Sequence, residues 1–96
     1  MAVGDAVGAV TPVAAGGELV IQPPSGEEWI IHNVFHEGAA ALCVTNGAAV
    51  CTVDSDTSGG MWAGFFLHVT PSQYLKVVNT DSETRHLGYD GIKSKG

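Results

Sequence analysis

No lysine or arginine occurs in the 96-residue chain before Lys76, although seven carboxylates precede it. Proteins that grip nucleic acid draw most of their affinity from clustered cations that release counterions from phosphates. That surface is missing here, and with it the charge that phosphate-binding enzymes and membrane-surface proteins need. Arg85, Lys93 and Lys95 come too late and are too few to build a basic groove. The formal charge of −6 favours solubility and repels nucleic acid. No apolar run approaches the roughly eighteen residues of a membrane-spanning helix. No basic start followed by an apolar stretch marks a signal peptide, so a cytoplasm is the expected place of synthesis. Leucine is scarce while glycine numbers thirteen, which argues against a helical bundle. What is present is the composition of one folded domain: 45% hydrophobic against 15% charged residues. A chain of this size buries about 60–65% of its unfolded surface, a modest core.

Cysteine is nearly absent as well. Cys43 and Cys51 flank Asn46-Gly47, the strongest short hairpin signal, which favours a two-residue type I′ turn. That register places Thr45 opposite Ala48, Cys43 opposite Val50 and Leu42 opposite Cys51. Side chains alternate along a strand, so the sulfurs point to opposite sides of the sheet. A three-residue loop would instead set them face to face. The expectation is free thiols, with Cys51 inward as a small hydrophobe.

Beyond the first residues the chain is a series of short β-rich runs between turn formers. Strands are expected over 19–22, 28–37, 40–45, 48–53, 61–70, 74–79 and 85–92, the last bent at Gly88. Pro23-Pro24-Ser25-Gly26 and Pro71 stop ladders, and residues 54–60 form an exposed polar loop. In 28–37, Trp29, Ile31 and Phe35 share one face; Ile30, His32, Val34 and His36 share the other. No stretch has helical apolar spacing. The fold class that follows is all-β: an antiparallel β-sandwich or small barrel, jelly-roll-like. Residues 1–17, dominated by Ala, Val and Gly with Pro12, have too little apolar area to order alone. They are expected to be a flexible N-terminal arm, either frayed or adding a strand to a neighbour's sheet; residues 18–96 form the single β domain.

Chemistry-bearing patterns are weak. Asp54-Ser55-Asp56-Thr57-Ser58-Gly59 matches the first half of a calcium loop, but Phe65 stands where the bidentate glutamate belongs. A solvated hairpin loop accounts for it better. His32 and His36 are four apart, about 13 Å on a strand, too far to chelate one ion. His68 and His86 come from other strands. No glycine-framed nucleophile elbow occurs, and Glu27-Glu28 sit as solubilising charges at a strand start. No catalytic residue, cofactor or metal is expected, and the chain is taken as a non-enzyme.

The aromatic set, Trp29, Phe35, Trp62, Phe65, Phe66 and Tyr74, points elsewhere. Phe65 and Phe66 must face opposite sides of a strand, and the outward face of the hairpin (Cys43, Thr45, Ala48, Val50, Thr52) carries no charge until Asp54. Uncharged strand surfaces aggregate unless covered. They argue for an oligomer or larger assembly.

The stretch Pro24-Ser25-Gly26-Glu27-Glu28-Trp29-Ile30-Ile31-His32-Asn33, with Asp54-Ser55-Asp56, Phe66-Leu67-His68-Val69-Thr70 and Gly88-Tyr89-Asp90-Gly91, resembles small β-rich proteins of tailed bacteriophages, of the capsid decoration (cement) or head-auxiliary kind. The resemblance covers about residues 18–92 and rests on turn and strand patterns. It implies a jelly roll or barrel on the capsid exterior of a virion made in the host cytoplasm. Its partners would be the major capsid protein or another virion protein and further copies of itself, with a homotrimer favoured. Candidate interface residues are Val7, Val10 and Val13 of the arm, with Trp62 and Phe66. The alternative is a carbohydrate- or receptor-binding β-sandwich of a tail fibre or tailspike, with Trp29 or Trp62 stacking on sugars and the acidic loops holding calcium. A third reading, a small cupin-like metal enzyme, requires His32, His36, His68 or His86 to converge.

Overall fold

Period-two alternation sets the strands, and Gly, Pro, Asn and Ser end them. The computed structural model describes residues 2–64 and 66–96; Met1 and the expectation about Phe65 lie outside them. Among the described residues there is no helix. The strands are β1 (Ala6–Val13), β2 (Glu18–Ile21), β3 (Glu28–His36), β4 (Ala40–Thr45), β5 (Val50–Asp56), β6 (Gly60–Trp62), β7 (Leu67–Val69), β8 (Tyr74–Asn79) and β9 (Arg85–Lys95). Their pairings nest: β1 with β9, β2 with β8, β3 with β6 and β7, β4 with β5, all antiparallel. Two further pairings, β3 with β9 and β4 with β8, join them into two sheets, β1-β9-β3-β6/β7 and β2-β8-β4-β5. Counting β6 and β7 as one interrupted strand, this is the winding of a jelly roll. The sheets remain two open layers, not a closed barrel.

The core lies between the inner faces. Trp29, Ile31, Val34, Val69 and Leu87 come from the first sheet; Ile21, Ala40, Leu42, Leu75 and Val77 come from the second. Residues 6–13, expected to belong to a free arm, are instead β1, paired over eight residues with β9. Val7 and Val13 are buried in the same core. The segment is too poor in large side chains to order by itself, but β9 offers it a ladder and the core offers two apolar sites.

Two local irregularities overturn expected facings. Opposite β9, His32 is an extra residue in β3, since Ile31 pairs with Gly91 and Asn33 with Asp90. A bulge moves every later side chain to the other face. Trp29 and Ile31 therefore point inward, but so do Val34 and His36, and Phe35 turns outward. Gly91 permits this crossing, because a Cβ there would meet Ile30 O and Ile31 Cα. On the other side of β3, what was expected to be a single strand over 61–70 is instead two, β6 ending at Trp62 and β7 beginning at Leu67, paired with β3 on either side of the same irregular stretch.

The hairpin is displaced by two residues. Thr45 pairs with Val50, Val44 with Cys51 and Cys43 with Thr52. Asn46 does not take positive φ, as a type I′ turn would require; Gly47 alone does, at 92°. The Asn46 side chain instead accepts from Ala48 N and Ala49 N, at 3.0 and 2.8 Å, which tightens the loop locally. A shift of two preserves facing, so the free cysteines still point to opposite sides. Their burial is the reverse of the expectation: Cys43 is buried and Cys51 is exposed. Cys51 does share a face with Val44 but is exposed there.

Candidate interaction surfaces

Polar groups at the flank where β5 meets β6 are engaged with one another. His36 is fully buried; its Nδ1 lies 3.1 Å from Gly38 O and its ring lies against Trp62 at 4.2 Å between centroids. Asp56 Oδ2 is 3.1 Å from His36 Nε2, yet no hydrogen-bond geometry is met there. Trp62 Nε1 donates to Asp54 Oδ2 at 3.0 Å. Asp54 and Asp56 thus tie β5 to β6 and β3. The other histidines lie apart: His32 against Phe66, His68 with Glu28 at 2.8 Å, His86 with Glu37 at 3.2 Å. The four do not converge on one point.

Glu27, expected to be a solubilising charge, accepts from Trp29 Nε1 at 3.1 Å and lies 3.6 Å from the buried Lys93 ammonium. Burying a cation is tolerable only with such a partner. Burial pushes the Tyr89 hydroxyl pKa up, beside Trp29, on which its ring stacks. Sequence reasoning missed these knots because only the sheet register brings Lys93 and Tyr89 to Glu27 and Trp29.

Two surfaces remain open. On the outer face of the first sheet, Val10 pairs with Gly88, Gly88 with Phe35 and Phe35 with Met61. Directly paired residues share a face, so these positions form one apolar row across four strands. Gly88 is its low point: a Cβ there would meet Ala9 O at 2.6 Å and Val10 Cγ2 at 2.9 Å. Val10 is 67% exposed and Met61 54%. Phe66, 77% exposed, packs its ring nearly perpendicular to that of His32, 5.2 Å between centroids. The second surface is β5, all seven residues of which are exposed. Beside it Val44, Val50, Cys51 and Gln73 line a shallow groove.

Of the five expected interface residues, Val10 and Phe66 are exposed. Trp62 is half-buried and bonded to Asp54, and Val7 and Val13 lie in the core. Phe35 and Met61 were overlooked because their facing depends on the bulge at His32. The chain matches no model of a known protein family and no curated protein.

Proposed function

We propose that the protein is a non-enzymatic virion structural protein that docks on the outside of a bacteriophage capsid and stabilises it as a symmetric oligomer. The observation that carries this reading is the apolar row Val10, Phe35 and Met61 on the outside of a jelly roll whose core is already complete. Exposed apolar rows on a small acidic domain mark contacts with protein rather than with nucleic acid. The buried polar groups support it too, since His36, Asn79 and Lys93 hold parts of the fold together. Each exposed apolar side chain contributes at most about 1.5–3 kcal/mol on full burial. One such contact is weak, and repetition over a symmetric shell gives firm occupancy.

The sugar-binding alternative has less support. Trp29 is buried and Trp62 already donates to Asp54, so neither offers a free platform edge. The test is to mix the purified protein with undecorated heads and image them. Saturable, symmetric occupancy is expected, and Val10→Asp with Met61→Asp should abolish it while preserving the circular dichroism of the wild type. Absence of saturable binding by the wild type would overturn the proposal.

A further inference from the structure

Among the described residues, one buried side-chain polar atom lacks a hydrogen-bond partner, His36 Nε2. Such an atom is unfavourable unless something else satisfies it. His36 ends β3 and Asp56 ends β5, so the two come from different sheets. Thr57-Ser58-Gly59 carries the chain from β5 across to β6, where Gly60 pairs directly with His36. The other ring nitrogen, Nδ1, lies 3.1 Å from Gly38 O. A carbonyl only accepts, so Nδ1 carries the proton. A neutral ring then turns its Nε2 lone pair on Asp56 Oδ2, 3.1 Å away. Two acceptors this close repel each other unless a cation lies between them.

A proton is badly placed for that task, because the Nε2–Asp56 contact misses hydrogen-bond geometry. A metal ion is placed well. Zinc binds imidazole nitrogen and carboxylate oxygen at about 2.0–2.2 Å, which sets two neighbouring donors about 2.9–3.4 Å apart and off each other's axis. The bond from Nδ1–H to a carbonyl is the support that metal-binding histidines receive, since it fixes the tautomer and aims the ring. Trp62, 4.2 Å away between centroids, holds the imidazole further. Gly60 leaves room beside it. A Cβ there would stand 3.7 Å from Cε1 and 3.8 Å from Nε2, an ordinary contact, so a methyl-sized gap adjoins the ring edge.

We infer that His36 Nε2 and Asp56 form a two-ligand site for a divalent transition-metal ion of the zinc, nickel or cobalt class, which clips the end of β5 to β3. Among the described residues no third histidine, cysteine or carboxylate joins the pair. Asp54 is engaged by Trp62 Nε1 and Ser55 N. Water completes the coordination shell, entering past the Asp56 side chain, which is 44% exposed. An imidazole ligand disfavours calcium and magnesium, which take oxygen. Only two protein ligands make the site weaker than a closed four-ligand zinc site. The clip spans the two sheets within one chain, so it does not depend on the capsid reading.

The test is to titrate zinc ion alone into the purified protein, following thermal unfolding and the nitrogen NMR signals of the imidazoles. An ion that binds only the folded chain raises Tm by mass action. Zinc should raise the wild-type Tm above that in chelator, calcium should not, and the His36 Nε2 signal should shift saturably. Asp56→Asn, at a part-exposed position, should raise the zinc dissociation constant at least about tenfold. Gly60→Ala, which fills the gap beside the ring, should raise it too. His68→Gln with His86→Gln removes the exposed histidine–carboxylate contacts and should leave the His36 titration unchanged. An unmoved His36 Nε2 signal, or equal zinc responses in wild type and Asp56→Asn, would overturn the site. So would an Nε2 that keeps its own proton at saturating zinc, which would make the pair a plain imidazolium–carboxylate contact.

Discussion

Asn79 is fully buried, and each of its side-chain bonds reaches a different part of the chain. Its amide donates to Val13 O at 2.8 Å and to Glu83 O at 2.9 Å, and its carbonyl accepts from Asp81 N at 2.9 Å. One residue therefore fixes the end of β1, the end of β8 and the turn into β9. Asn79→Ala would remove the partner of the buried Val13 carbonyl and of the partly buried Glu83 carbonyl and Asp81 N–H. The expected cost is about 2–4 kcal/mol, seen as a lower urea midpoint at unchanged m-value. A loss below about 1 kcal/mol would mean that water or backbone relaxation replaces the amide. This role was not legible in the sequence, where an asparagine after a strand is an ordinary turn former. Val13 lies 66 positions away, and only the nested pairing brings it alongside. Lys93 is a parallel case: an apparently leftover cation proves to be buried against Glu27.

At the scale of elements, two carboxylates hold β9 at its start. Glu37, just past β3, accepts from the backbone N–H and the ring of His86, and these bonds hold its pKa below the ordinary 4.5. Asp81 is pulled upward by partial burial. It is still lowered below 3.8 overall, because Ser82 N, Arg85 and Ala39 N all donate to it. In both cases the unfolded chain binds protons more readily than the folded one, so stability rises with pH through this range. The contribution is fully present above about pH 4.5 for Glu37 and above about pH 3.8 for Asp81. It is lost as pH falls through the lowered folded values. Wild type should show a Tm that falls on acidification below pH 4.5, and Glu37→Gln should flatten that limb while leaving β3 and β9 paired. Parallel acid limbs in the two proteins would show that the His86 contacts do not persist in solution. Existence and extent of the elements were largely legible: 40–45 and 74–79 coincide with β4 and β8. Facing after residue 32 was not. A bulge changes no residue type, and period-two counting assumes that none occurs.

At the scale of the molecule the chain behaves like one long hairpin, tip at Gly47, folded over so that its two halves lie side by side along their whole length. Such nesting makes the first strand and the last strand mutual neighbours, which explains why composition misjudged residues 6–13. Their local content is poor, and what orders them is supplied by β9. It also explains why the all-β sandwich was legible while the apolar row was not, since the row runs across β1, β9, β3 and β6, four segments remote in sequence. If β1 is integral, deleting residues 2–13 removes Val7 and Val13 from the core, a loss of about 3–6 kcal/mol in burial alone. The entropy of ordering the strand offsets part of this. The deletion also uncovers one edge of β9. Against the roughly 5–15 kcal/mol that holds a small domain together, the truncated chain should melt at least about 10 °C lower or without a cooperative transition. Val13→Asn, which keeps the strand but places an amide in the core, should lie between it and wild type. A free arm predicts the opposite, an unchanged melting curve after truncation, and calorimetry of the three proteins decides between them.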